Sequence, residues 1–343
     1  MSSDNLEALP KGMSLFQKAL SRFFKNKMAV ASLFVVIFYG IVALLAPWLP
    51  IHGFEEQVLD HQNLPPSLTK NGGELLVERL RFELEDRAGR ENRSLTQQEN
   101  EQLEKFEAQI RSDPKHARRY LLGTDYLGRD MLSRVIYGGQ ISMVLGLIGA
   151  LTSILIGLIV GGISGYFGGR IDSFLMRFVD ILYSLPYMLL VIIFMAVFGK
   201  NIFNLVFALA GVSWLTEARL VRGMVLSLKN SEFIQAARVI GASTPRILVR
   251  HLFPNVMNVV IVFTTLRIPS FILMEAFLSF LGLGVSAPMA SWGSLVEDAV
   301  GSMTIYPWRL IFPALAMVIF LFCMNFLGEG LREAYDPHSE KIL

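Results

Sequence analysis

Six stretches of about 20 apolar residues constrain this chain more than anything else in it, because that length carries a helix across the roughly 30 Å hydrocarbon core of a bilayer. Lipid offers no partner for backbone N–H and C=O groups, so each stretch must close its own hydrogen bonds as a helix. They occupy residues 28–49, a second within the charge-free run 135–169, 178–198 interrupted by Pro186, 202–220 with Glu217 and Arg219 marking its exit, 255–284 through Arg267, Pro269 and Glu275, and 309–327. With 53% hydrophobic and only 17% charged residues, the 343-residue chain is too apolar for an ordinary soluble protein. The first apolar run follows a basic stretch and lacks a small-residue cleavage site, so it reads as an uncleaved span rather than a signal peptide.

Orientation follows from lysine and arginine in the short loops, which resist translocation. With both termini inside, fifteen basic residues are cytoplasmic (Lys11, Lys18, Arg22, Lys25, Lys27, Arg170, Arg177, Arg219, Arg222, Lys229, Arg238, Arg246, Arg250, Arg332 and Lys341) and two, Lys200 and Arg309, lie in short outer loops. The expected plan is a basic cytoplasmic segment 1–27, a first transmembrane helix 28–51, an extracytoplasmic loop 52–134, and a core 135–343 with five more spans. The outer loop holds 29 of the 60 charged residues, 13 basic and 16 acidic, and long loops translocate largely regardless of charge. Within it, Thr96 and Glu99 form a capping-box pattern, followed at helical spacing by Leu103, Phe106 and Ile110, with Glu101 and Lys105 spaced as an i,i+4 pair. The stretch 74–85 is the expected other arm of a hairpin, which serves either as a solvated decoration or as a docking surface for an external partner.

Gly149, Ser153, Gly157, Gly161 and Gly165 fall four residues apart and make a groove on one face of the second span. Small residues let membrane helices approach closely, either as a fixed contact or as a moving one in a gate. Between the fourth and fifth spans, residues 231–255 carry organised helix signals on the cytoplasmic side. Ala236 and Ala237 are small, Gly241 breaks the helix, Thr244 is the expected N-cap with Pro245 after it, and Pro254 reads as a stop. Two short helices joined at a glycine make a rigid protrusion that another protein could grip; nucleic acid is the weaker alternative ligand.

Gln235-Ala236-Ala237, then Gly241 and Ala242, then His251-Leu252-Phe253-Pro254 resemble the EAA loop of bacterial ABC importer permeases, with Gln235 where that pattern often has Glu. Leu122-Gly123-Thr124-Asp125-Tyr126-Leu127-Gly128-Arg129-Asp130, Leu278-Ser279-Phe280-Leu281-Gly282-Leu283-Gly284 with Ser291-Trp292-Gly293, Leu327-Gly328-Glu329-Gly330-Leu331-Arg332 with Asp336-Pro337, and Lys25-Asn26-Lys27 resemble the C-type permease of the oligopeptide/dipeptide/nickel importers. Only residues 68–115 fall outside the match, as an insertion would. The resemblance implies an all-α, six-span subunit of the bacterial inner membrane. It implies a second permease, two ATP-binding subunits and an extracytoplasmic solute-binding protein as partners, with Gln235, Ala236, Ala237, Gly241 and Ala242 coupling the chain to the ATPase.

No phosphate-cradling loop is present in the sequence, whose single Gly-Lys pair, Gly199-Lys200, is followed by Asn201, so ATP hydrolysis is expected in another chain. No catalytic residue, cofactor or metal site is expected, although His52, His61 and His116 share the outer loop. Cys323 stands alone, which excludes an internal disulfide and a cysteine zinc site. Ionisable groups inside a membrane are costly and face partners or water, which makes Arg267 and Glu275 candidates for either structural pairing or the translocation path. Peptides are the expected cargo. Nickel or another small solute, transport in the export direction, and an ion-gradient secondary transporter with repeated halves are the alternatives.

Overall fold

The computed structural model describes residues 15–335; Lys11, Lys341 and the Asp336-Pro337 pair lie outside them. Every regular element described is helical. A short amphipathic helix α1 (Leu15–Lys25) leads into α2 (Lys27–Leu45), whose first turn is capped by Asn26, the side-chain oxygen accepting from the Ala29 N–H. Two helices stand outside the bundle, α3 (Gly72–Arg90) and α4 (Gln97–Ser112). The long α5 (Met131–Phe167) follows, then α6 (Gly169–Tyr183), α7 (Tyr187–Phe198) and α8 (Ile202–Leu228). The chain closes with α9 (Glu232–Val239), α10 (Thr244–Ile247), α11 (Phe253–Phe280), α12 (Trp292–Val300) and α13 (Trp308–Tyr335).

Five helical runs are long and apolar enough to cross a bilayer: 27–48, 131–167, 202–228, 244–280 and 308–335. The sixth span is not straight. Pro186 follows the last turn of α6, and α6 and α7 meet at 84°. A proline cannot donate the hydrogen bond that would continue α6, so the stretch 178–198 divides into an amphipathic helix and a 12-residue apolar one.

Close backbone contact holds the spans. A Cβ on Gly161 would lie 2.4 Å from the Ala218 carbonyl, one on Gly157 2.5 Å from Glu217 Cβ, and one on Gly165 2.9 Å from the Arg222 carbonyl. The small-residue stripe of the second span is therefore the seat of α8, with Gly149 placed against Phe271 of α11 instead. Gly328 meets Leu266 of α11 and Gly330 meets Ala29 of α2, so α13 lies against both through the same device. Apolar burial adds little between helices already surrounded by lipid, and packing of this kind carries the association.

Residues 52–134 fold on themselves. Asp125 accepts from the Leu127 and Arg129 N–H groups at 2.8 and 2.9 Å and from Arg129 Nε at 2.6 Å, with Arg134 as a further partner. Gly128 takes φ +71° and its Cα faces Val58 so closely that any Cβ would collide with that carbonyl. The hairpin forms as expected, each arm opening on a capping box, Asn71 with Glu74 and Thr96 with Glu99. Glu101 accepts from Gln97 at 3.2 Å rather than pairing with Lys105. The hairpin's core is not its own: Leu75, Leu76 and Ile110 pack with Leu64 and Tyr120, which flank the insertion.

Candidate coupling loop and membrane cleft

Residues 229–252 form one tightly closed unit. Lys229 caps α8 and its Nζ donates to the Gly165 carbonyl at 3.0 Å, while the Arg238 guanidinium sits 5.4 Å from the centre of the Tyr166 ring. Both contacts tie the loop to the same end of α5. The C-terminus of α9 ends in a Schellman motif: Gly241, at φ +81°, donates to the Arg238 carbonyl, and Ala242 donates to that of Ala237, each at 3.0 Å. This left-handed position is what Gly241 supplies.

The second short helix begins one residue earlier than expected, with Ser243 as N-cap and Thr244 in the first turn. Pro254 does not stop it. A π-helical turn over Leu248–Leu252 carries the Phe253 N–H to the Leu248 carbonyl, and the wider register accommodates the proline ring at the start of α11. Residues 244–280 therefore form one uninterrupted helical run.

The loop divides the expected coupling residues. Ala237 is only 3% exposed and packs with Ile234, Val225 and Ile247 in the loop's own core. Gln235 and Ala236 face outward, and Gln235 Nε2 donates to the Asn230 carbonyl at 2.8 Å. Beside them the sequence reading missed Val239 and Ile240, 86% and 83% exposed, which crown the loop with apolar surface. The signal was there as two adjacent β-branched residues immediately before the helix-breaking Gly241.

In the membrane region a cleft of about 290 Å³ opens where α6 and α7 part, walled by α8 and α11. Arg267 lines it. Its Nε donates to Glu217 Oε1 at 2.6 Å, and the Glu217 side chain is 3% exposed against 31% for Arg267. Glu217 is thus the missed partner: α8 continues past it to Leu228, so the carboxylate lies inside the helix rather than at its exit. Gly157 leaves the room in which its Cβ sits. Tyr187, Ser213, Thr216 and Ser270 bring hydroxyls to the same cleft, Tyr187 Oη lying 3.1 Å from Ser213 Oγ.

Glu275 is elsewhere. It is fully buried, and its Oε1 accepts from Ser279 at 2.8 Å and from Ser291, the N-cap of α12, at 2.6 Å. The following Trp292 donates from its backbone to Ser142 and from its ring to the Val135 carbonyl, both at 3.0 Å. A Cβ on Gly293 would fall 2.5 Å from Ala276 Cα. Ser291-Trp292-Gly293 therefore seats α12 into a niche between α5 and α11, with Glu275 at its floor.

This bundle belongs to the family of binding-protein-dependent transport system inner membrane components, whose pattern matches residues 131–341, so the chain is a multi-pass permease of the inner membrane. Residues 14–66 match the N-terminal transmembrane domain of oligopeptide transport permease C. The chain is 40% identical, over 98% of its length and 93% of the relative's, to an oligopeptide transport system permease protein of Haemophilus influenzae. It is 41% identical to the Escherichia coli K12 protein of the same description, over 98% and 94%. With a dipeptide transport system permease protein of Bacillus subtilis it shares 38% identity over 95% and 86% of the two chains.

Proposed function

We propose that the chain is one of two permease subunits of an ATP-driven peptide importer, receiving cargo from an extracytoplasmic binding protein and force from two separate ATPase subunits. The near full-length likeness to oligopeptide and dipeptide permeases supports the cargo class. The observation that carries the mechanism is the apolar crown of a loop braced to three helices: Val239 and Ile240 would cost free energy in water and gain it in a partner's cleft. Gln235 and Ala236 flank that contact, while Ala237, Gly241 and Ala242 act by keeping the loop rigid.

Arg267 is the residue of the translocation path. A buried charge in lipid is tolerated where a partner or water offsets it, and Glu217 with the cleft supplies both. Glu275 belongs to the packing of α12. Both chain ends are read as cytoplasmic, in keeping with the fifteen-to-two distribution of short-loop basic residues.

Ile240→Asp tests the coupling reading. In the purified complex it should abolish transport-coupled ATP hydrolysis and weaken ATPase attachment, while the permease pair stays assembled. Full coupling in this variant removes the loop from the mechanism.

A further inference from the structure

We infer that the Arg267 guanidinium receives the C-terminal carboxylate of a zwitterionic peptide in the membrane cleft, with Glu217 as the positioning residue behind it. This rests on the peptide-permease reading above and names the chemistry of its path.

Glu217 engages only Nε of Arg267, and neither Nη group has an acceptor among the described residues. The pair is also asymmetric: the carboxylate is withdrawn against α5, and the guanidinium is the part that reaches the cleft. A planar fork fixed at one edge, with its other N–H groups left for a ligand in a mainly apolar cleft, is suited to a second carboxylate. Around it, Thr216 and Ser270 offer hydroxyls that can donate to or accept from a peptide backbone without selecting a side chain, while Tyr187 donates to the Leu209 carbonyl at 3.2 Å and is paired with Ser213.

The carboxylate adds one negative charge to the neutral Arg267–Glu217 pair, and the two Nη groups with the cleft hydroxyls are what would stabilise it there, the peptide's own ammonium group lying beyond the cleft. The cleft, about 290 Å³, is small for a ligand site and holds a peptide's end rather than its length.

The test uses the assembled permease–ATPase complex in proteoliposomes with its binding protein, and compares uptake of tri- to penta-alanine with that of their C-terminal amides. The binding protein's own preference is common to every variant, so the change in the acid-to-amide ratio isolates the permease. Arg267→Gln combined with Glu217→Gln leaves no unpaired charge and should lower that ratio by about tenfold, the scale of one hydrogen bond to a charged group. An unchanged ratio with reduced uptake of both forms overturns the carboxylate site and leaves the pathway reading standing. Wild-type uptake of neither form refutes the peptide reading itself. If the double variant fails to assemble, Arg267→Lys decides: it keeps the charge and the Glu217 partner but loses the fork, and an unaltered ratio there overturns the proposal.

Discussion

Asp172 holds one edge of the Arg222 guanidinium with both carboxylate oxygens, Oδ1 to Nε at 2.5 Å and Oδ2 to Nη2 at 2.6 Å, and so bolts α6 to α8 just beyond the point where α5 ends. Ser164 of α5 donates to the same carboxylate, and a second pair, Arg219 with Asp180 at 2.6 Å, repeats the tie further along. Bidentate geometry raises such a contact above the ordinary surface ion pair. Asp172→Asn and Arg222→Gln should each destabilise the complex by roughly 1.5–3 kcal/mol, and the double variant by less than their sum. Thermal unfolding of the four members of the cycle in one detergent checks this; strict additivity would mean that the pair is not coupled.

The arrangement of the ends and loops is open to a direct chemical assay. In a Cys323→Ser background, a cysteine at Gln97 on the hairpin should react with an impermeant thiol reagent applied to intact cells, and one at Ser231, where α8 gives way to α9, should react only after lysis. The opposite labelling pattern would invert the orientation read from the basic residues.

A pH response is built into the base of the α3–α4 hairpin. His61 Nε2 lies 2.7 Å from His116 Nδ1, and His61 Nδ1 lies 2.8 Å from the Tyr120 hydroxyl, all three side chains being buried. Burial first, and the neighbouring His116 second, hold the His61 imidazole down at about 4, against an ordinary 6.5, while Asp60 opposes the shift and Arg118 and Lys115 add to it. Burial and Lys115 lower His116 as well. The folded hairpin thus prefers these rings neutral, whereas the unfolded chain binds protons below about 6.5. The stability they contribute is complete above that value and is lost as pH falls toward about 4. The protection factors of the Leu75, Leu76 and Ile110 amides, taken relative to the intrinsic exchange rate at each pH, should fall between pH 6.5 and 4.5, and His61→Phe should flatten the response. Exchange protection independent of pH would contradict this.

Gly161 tests the helix seat. Leucine there must push α8 from α5, since even its Cβ would meet the Ala218 carbonyl at 2.4 Å. The expected outcome is loss of assembled, detergent-stable permease, whereas Gly211→Leu, where no atom lies within 4 Å, leaves the isolated chain intact. Equal stability of the two variants would show that the stripe is not a contact.

Much of this fold is legible because a membrane span writes itself as an apolar run, and a capping box such as Thr96 with Glu99 is local in sequence. What stays hidden is decided by residues far apart along the chain. Glu217 stands beside Arg219 at the end of an apolar run, where a charge ordinarily marks the membrane boundary, and only the crossing of α8 with α11, fifty positions away in sequence, turns it into the partner of Arg267. Ala236 and Ala237 look alike as neighbours, but a helical step of about 100° sends one outward and the other into the loop's core. Pro186 and Pro254 carry the same chemistry with opposite results, a sharp break in one case and a passage through a wider helical turn in the other, because the flanking carbonyls find different partners.

The unbroken run from Thr244 to Phe280 joins the inner end of the proposed coupling loop, just after the Gly241 turn, to the cleft on one shaft. Pro254 and Arg267 are separated along it by 13 residues, or about 20 Å at 1.5 Å per residue. A push on the loop's crown would cross one packed joint, from α9 to α10 at Gly241, and then reach the guanidinium along a single helical run. Pro269, two residues beyond Arg267, has no N–H to lend to the helix, and this marks where the shaft can flex. Any stroke delivered from the cytoplasmic side would then swing the carboxylate-gripping hand before it moves the outer half of the helix, so grip and gate would be timed by the stiffness of a single rod.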